Sequence, residues 1–302
     1  MGRSKAWLPW LGRTMIEHVV ERLRPAVDEI VVVSSATLDL PRLDARVVVD
    51  REPGRGPLAG IREGLAAARA ELAFVTSTDV PFLTPEYVTR LLDHGGPVAP
   101  VAEGRTQVLS AVYPCAAWKE AEALLERGLA RPLDLLEYLD YQPLVFAEGE
   151  AGEAGGTDEA DETGGAGDAG GTDGAGEAGD AGGADVADEK HGAGRARPPA
   201  WRGFNTPAEY LACARSLDPH ARAEIELLGR AAIGVEKRCL SLPIGTLAEL
   251  LARVPSSARL LEGEDVAGTF LVSLGGRDLV RSGRVPIGPG ERISVFDAQA
   301  GG

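Results

Sequence analysis

Cysteine is scarce in this chain. The three present, Cys115, Cys213 and Cys239, are far apart and odd in number, which excludes a disulfide framework and points to the reducing cytoplasm. The four histidines (His18, His94, His191 and His220) fall at separations that fit no zinc motif. No apolar run reaches the ~18 residues of a membrane-crossing helix, and no apolar leader opens the chain, so no membrane partner is expected. The opening "MGRSKA" has Ala6 where N-myristoylation needs Ser or Thr. Surplus positive charge is also missing. The net charge is −15, and the 14 Asp and Glu between Glu148 and Glu189, uninterrupted by Lys or Arg, leave the remainder near −1. Nucleic-acid binding, which needs a basic patch, is excluded on that ground.

What is there is ordinary soluble-protein composition, 44% hydrophobic and 25% charged, in a length that accommodates two cores. Residues 1 to about 147 alternate helix and strand. "TMIEHVVERLRP" has apolar residues at helical spacing, and Thr14 with Glu17 forms a capping box. "EIVVVSS", "ARVVVD" and "LAFVTSTD" are short Val-rich runs of the kind buried on both faces. Between them, "PLAGIREGLAAARA" and "TPEYVTRLLDHG" read as helices, the second opened by Thr84 and Pro85. The alternation predicts a parallel sheet with helices on both faces. From about 148 to 199 the chain becomes Ala, Gly, Asp, Glu and Thr, too poor in larger apolar groups to order itself. "WRGFNTPAEYLACARSL" then restores a helix with Thr206 as N-cap and Pro207 at its first position. After it, "AEIELLG", "VEKRCLSLP", "TLAELLARV", "GTFLVSLGG" and "RISVF" read as strand, strand, helix, strand, strand. That is an α+β pattern with one helix across a small mixed sheet.

In open parallel sheets the working groups lie just past the C-terminal ends of strands. Ser34 and Ser35, Asp50 and Asp79 occupy such places. Asp79, followed by Val80 and Pro81, is placed to hold Mg²⁺ against the phosphates of a nucleotide; the plainer alternative is a strand-end turn. "GRGPLAG", Gly54 to Gly60 with Gly56 within it, is a glycine-rich turn entering a helix, where backbone N–H groups can approach a nucleotide, although most such turns are only turns. Lys5 is either a phosphate-binding cation or a surface lysine.

"MGRSKAWLPWLGRTMIEHVVERL", "GPLAGIREGL", "TSTDVPFL" and "FNTPAEY" occur in that order. Together they resemble the MobA-like molybdenum cofactor guanylyltransferases, over residues 1–147 and 200–217. The resemblance implies a Rossmann-like α/β nucleotidyltransferase with GTP and molybdopterin (or the molybdenum cofactor) as substrates and Mg²⁺ as cofactor, moving GMP to the pterin phosphate and expelling pyrophosphate. It implies that Lys5 contacts the phosphates, Asp79 binds Mg²⁺, Ser34 and Asp50 lie by the nucleoside, Gly56 borders it, and Asn205 reaches into the same cleft. Family members carry a strand and a Leu-Ala-Gly-Gly loop ahead of the stretch matched by "MGRSK". The sheet is therefore expected to be N-terminally truncated and the 302 residues to bind GTP weakly, a reading frame upstream of Met1 being where the missing strand would be sought. Ser34 stands where the family usually has Asn, and Gly203 where it has the first Asn of Asn-x-Asn-Thr-Pro. A cytidylyltransferase, or a catalytically silent scaffold, stays open as an alternative.

The chain closes on "RISVFDAQAGG". Two residues without side chains form a thin tail that can thread into a partner's active site, with the carboxylate of Gly302 as its payload. The strand–strand–helix–strand–strand order, "IGPGERISVF" and the diglycine resemble the sulfur-carrier subunit of molybdopterin synthase and its ubiquitin-like β-grasp relatives, over residues 221–302. This implies an ATP-dependent activating enzyme and the large subunit of molybdopterin synthase as partners, and Gly302 as the site of adenylation and thiocarboxylate formation. The expected organisation is a guanylyltransferase-like domain over 1–217, holding a disordered acidic insertion at about 148–199, followed by a β-grasp domain over 221–302.

Overall fold

The computed structural model describes residues 2–146 and 198–298. The acidic insertion, apart from its last two residues, and the terminal diglycine lie outside them.

Helix α1 (Met15–Leu23) starts where expected: the Thr14 side chain accepts from the Glu17 backbone N–H, and the Glu17 carboxylate accepts from that of Thr14. It buries Met15, Ile16, His18, Val19 and Val20. Strands β1 (Val31–Ser34) and β2 (Arg46–Val49) form a parallel pair in register Val31 with Arg46 through Ser34 with Val49. Helix α2 (Pro57–Ala67) packs against β1, where Gly64 allows close approach to Val33. Strand β3 (Leu72–Thr76) follows, then α3 (Pro85–Leu92), capped by Thr84. Next come β4 (Val98–Ala102), the short β5 (Arg105–Thr106), β6 (Ser110–Pro114), α4 (Trp118–Glu126), α5 (Pro132–Tyr138) and β7 (Gln142–Val145).

The expected single parallel sheet is corrected here. β1 and β2 stand as a separate parallel pair, while β3, β6, β4 and β5 form a sheet in that order, with β7 parallel to β4. Its β3–β6 and β4–β6 pairings are antiparallel. The physical reason is the turn at Glu103 and Gly104, both at positive φ (50° and 71°). Two such residues make the tight turn whose twist suits an antiparallel hairpin, so the chain leaving β4 returns at once through β5 to β6. The helices do cover both faces. Ala73, Val75, Ala111 and Tyr113 pack with α2, α4 and α5, while Leu72, Phe74 and Val112 pack with Val19 of α1 and Tyr87, Val88 and Leu91 of α3. This side-to-side alternation is the period-two geometry of a strand buried twice.

Helix α6 (Pro207–Leu217) opens with a second capping box, Thr206 with Glu209. Beyond it, β8 (Arg222–Leu227), β9 (Cys239–Pro243), β10 (Phe270–Leu274), β11 (Asp278–Val280) and β12 (Arg292–Asp297) form one sheet in the order β9-β8-β12-β10-β11. Only the central β8–β12 pair is parallel. Alternate residues Ala223, Ile225, Leu227, Val272, Leu274, Ile293 and Val295 form a buried core with Leu247, Leu250 and Leu251 of the one helix α7 (Leu247–Leu251). Each of the larger side chains so buried contributes about 1.5–3 kcal/mol.

The two cores meet along residues 2–10. Ile244 joins the cluster of Leu8, Trp10, Phe82, Phe204, Tyr210 and Leu211. The Tyr210 hydroxyl donates to the Pro9 carbonyl at 2.6 Å. Gly288 lies against it so closely that a Cβ would come 1.9 Å from that hydroxyl. Because Tyr210 is fully buried, its ring cannot step aside. Gly288→Ala is expected to cost about 1–3 kcal/mol, read as a lower denaturation midpoint with an unchanged m-value, and Tyr210→Phe in the same background should return part of the loss.

No helix of the described residues is long and apolar enough to cross a membrane. Cys115, Cys213 and Cys239 are free thiols, the first of them buried.

Candidate functional site

Three segments far apart in sequence converge on Lys5. Its Nζ donates to Asp79 Oδ2 at 2.5 Å, to the Phe204 carbonyl at 2.8 Å and to Asn205 Oδ1 at 3.1 Å. Each partner has its own support. Lys5 opens a single 3₁₀ turn, Lys5–Trp7. Asp79 sits three residues past the end of β3, with the Ser77 hydroxyl bonded to its other oxygen, Oδ1. Phe204 is fully buried against Tyr210, ring centroids 5.2 Å apart, which fixes its carbonyl. Asn205 precedes the N-cap of α6, and the Glu209 carboxylate accepts its backbone N–H at 2.6 Å and that of Thr206 at 3.1 Å. Those two backbone N–H groups hold the Glu209 carboxyl below its usual range. Lys5 stays 29% exposed, open to a ligand from one side.

Gly203 has a clear steric role. A Cβ there would fall 3.0 Å from the Asp79 carbonyl and 3.2 Å from Oδ1, so the absence of a side chain lets the 203–205 segment pass over Asp79. Beneath the same loop, buried His18 bonds through Nε2 to the Pro81 carbonyl at 2.9 Å. Its loss of solvent lowers its pKa to about 4 despite that bond, so the ring is neutral at pH 7 and donates to the carbonyl.

The other expected site residues form a second group. Asp50 donates its backbone N–H to the Ser34 carbonyl at 2.8 Å, at the neighbouring ends of β1 and β2. Its Oδ1 accepts from the Glu52 N–H at 2.9 Å, which forms a turn at the strand end. Gly56 is the N-cap of α2 at φ 101°, a conformation only glycine takes easily. Arg62 braces this loop, reaching Glu52 at 2.8 Å, Glu63 at 2.5 Å and Glu122 at 2.5 Å, while Arg51 reaches Glu63 at 2.8 Å. Burial pushes the Glu63 carboxyl up, but the two guanidinium groups outweigh it and hold it low. Among the described residues no side-chain hydrogen bond joins this group directly to Lys5. The link runs through Trp7, whose Nε1 donates to the Asp39 carbonyl at 2.8 Å in the loop after β1.

Ser77, the Phe204 carbonyl and Arg62 were not singled out from sequence, and Gly203 stood out only as a departure from the family's Asn. Ser77 alone had a visible signal, a hydroxyl two residues before a strand-end aspartate in "TSTD".

A family model described as the MobA-like NTP transferase domain matches residues 1–141. A "probable molybdenum cofactor guanylyltransferase" of Mycobacterium avium is 32% identical over 157 residues, which is 49% of this chain and 80% of that protein. Its namesake in Mycobacterium tuberculosis is equally similar, with 78% of that protein covered. Among solved structures, the molybdopterin-guanine dinucleotide biosynthesis protein A of Archaeoglobus fulgidus aligns with a TM-score of 0.39 and 25% identity, over 48% of this chain and 76% of that one. With that identity and coverage of the two guanylyltransferases, the chain belongs to the MobA-like NTP transferase family.

Proposed function

We propose that residues 1–217 form a domain that transfers GMP from GTP to the phosphate of molybdopterin or its molybdenum-bearing form, releasing pyrophosphate. The observation that carries this reading is the convergence of Lys5, Asp79 and Asn205. In the reaction, an oxygen of the pterin phosphate forms a bond to the α-phosphorus of GTP. The bond from that phosphorus to the α,β-bridging oxygen breaks, and pyrophosphate departs with the electron pair. Catalysis of this kind is positioning and charge neutralisation. Lys5 supplies a cation beside the charge that spreads over the phosphates, and Asp79 holds it there. The Asn205 Oδ1 accepts from Lys5, which turns its amide NH₂ toward a substrate oxygen. Ser34, Asp50 and Gly56 border the nucleoside.

The donors fit Mg²⁺, which takes one or two carboxylates and completes its shell with water and phosphate oxygens. Asp79 is one carboxylate among oxygen donors from Ser77 and Asn205, and no group of three or more Asp, Glu, His or Cys able to hold a metal occurs among the described residues. Asp79 and Ser77 would hold the ion, whose chemistry is to draw electron density from the phosphate oxygens. Incubation with molybdopterin, Mg²⁺ and either GTP or CTP, followed by pyrophosphate release and product mass, tests the assignment. GTP should be the preferred nucleotide. Preference for CTP would move the domain to the cytidylyltransferases, and release with neither would leave a silent scaffold.

Residues 221–302 read as a β-grasp sulfur carrier. A central parallel pair made from the first and last strands, with a single helix across one face, supports that reading. The Gly302 carboxylate would attack the α-phosphorus of ATP, expelling pyrophosphate and leaving an acyl-adenylate. The terminal sulfur of a persulfide donor would then displace AMP to give an acyl disulfide, and a second thiol of that donor would cleave its S–S bond, leaving a disulfide on the donor and releasing the thiocarboxylate for use by the large subunit of molybdopterin synthase. Deleting Gly302, or adding one bulky residue after it, is expected to abolish sulfur loading without changing the thermal midpoint. The measurement is the mass of the chain after incubation with the activating enzyme, ATP and a sulfur donor; undiminished loading of the deletion variant overturns the assignment.

A further inference from the structure

On either side of Lys5, residues Gly2, Arg3, Trp7 and Pro9 each touch the C-terminal sheet or its loops. Gly2 lies against Val285, where an added Cβ would come 3.0 Å from the valine methyl. Arg3 is ion-paired with Glu291, both nearly inaccessible, at 3% and 6% side-chain exposure. The other oxygen of that carboxylate accepts the Gly288 N–H at 3.0 Å. Arg3 also donates to the Trp7 carbonyl at 3.3 Å, closing the turn that contains Lys5. The Arg277 guanidinium stacks on the Trp7 ring, 3.8 Å from its centroid. Pro9 is fixed by Tyr210 and Gly288. Among the described residues, the polar contacts of the Lys5 side chain lie in the other direction, on Asp79, Phe204 and Asn205.

We propose that the C-terminal region is a positioning element of the nucleotide site: Glu291 and Arg277 clamp residues 3–7 from behind and thereby hold Lys5 against Asp79. This rests on the reading of Lys5 as the phosphate-binding cation. A buried ion pair that loses one partner leaves an uncompensated charge. Arg3 would have to leave its pocket if Glu291 were neutral, and the turn it closes would move with it. Arg277 is exposed, so its contribution is the cation–π contact with Trp7 alone, and its removal does not threaten the fold. Glu291 immediately precedes β12, the strand that leads to the diglycine tail.

Two readouts test the clamp. The first does not depend on catalysis. The chain has four lysines, and the rate of Lys5 acetylation by a small N-hydroxysuccinimide ester is measured by peptide mass spectrometry against Lys119 and Lys237. In Arg277→Ala and Glu291→Gln, Lys5 labelling should rise about fivefold or more while the reference lysines stay constant, and Arg277→Lys should restore the slow rate. The second readout is steady-state transfer. KM for GTP should rise about tenfold in the same variants with kcat changed much less. Unchanged Lys5 labelling in both variants overturns the clamp. If labelling rises but no form of the protein, wild type included, transfers GMP, the clamp stands and the guanylyltransferase reading falls. If wild type transfers GMP and the variants match it in KM and labelling, the guanylyltransferase reading stands and the clamp falls.

Discussion

Asp79→Ala is expected to lower kcat/KM for nucleotidyl transfer about 10³-fold, with circular dichroism and thermal midpoint close to those of the unmodified chain. Two functions of one carboxylate disappear together: Oδ2 no longer restrains Lys5 at 2.5 Å, and the one carboxylate proposed for Mg²⁺ is gone. The fold tolerates the change because Asp79 lies in the loop after β3, outside any ladder, and Lys5, already 29% exposed, can turn its ammonium to water. Asp79→Asn separates shape from charge. It keeps an oxygen for the Ser77 hydroxyl but not the negative charge, and should be nearly as inactive as alanine. Undiminished turnover in either variant removes Asp79 from the mechanism.

The second large effect concerns pH. His18 is buried, sits 6.3 Å from the Trp10 ring, and has its pKa lowered from 6.5 to about 4, chiefly by desolvation; the Pro81 carbonyl opposes the shift, while the nearby charges of Arg22 and Arg13 add to it. In the unfolded chain the ring takes a proton as pH falls through about 6.5, whereas the folded protein refuses it until about 4. The unfolded state therefore binds more protons across this window, and stability falls as pH drops from about 6.5 to about 4. At 1.36 kcal/mol per unit the full loss is about 3 kcal/mol, of which about 1.4 should be gone by pH 5.5. Urea unfolding at pH 7.5 and 5.5, for wild type and His18→Gln, measures it. Glutamine can still donate to Pro81 but does not titrate, so its stability should change less by about that amount. Equal changes in the two proteins would assign the acid sensitivity elsewhere.

Much of this could be read from the chain because its cause is local. Thr14 with Glu17 is a capping box in sequence and in space, and Thr206 is the N-cap read from the chain, its box completed in the structure by Glu209. Asp79 at a strand end and Lys5 were visible as chemistry-bearing residues, while Asn205 entered only through the resemblance. Their meeting was implied by resemblance rather than by spacing, and the geometry brings those three together while setting Ser34, Asp50 and Gly56 apart. What was not legible has no local signal. Strand direction is silent in the hydrophobic pattern, so the parallel expectation failed at Glu103 and Gly104, where two positive φ angles reverse the chain. Likewise nothing near Arg3 announces Glu291, 288 residues away, and Gly203, marked in the text only as a missing Asn, gives no sign that its bareness lets the chain pass over Asp79.

The neighbouring of β8 and β12 has a consequence for the order of events in synthesis. These strands pair side by side at the centre of their sheet, yet Glu226 and Ser294, which touch across them, are 68 residues apart. During translation β8, β9 and β10 emerge without the strand that must lie between β8 and β10, so the inner edges of both remain bare. The C-terminal sheet cannot assemble progressively as the chain lengthens. It must wait for β12 and then close in one step, a route made slow by the loop closure it requires. The Lys5 turn, made long before β8, likewise gains its backing from Glu291 only as β12 leaves the ribosome.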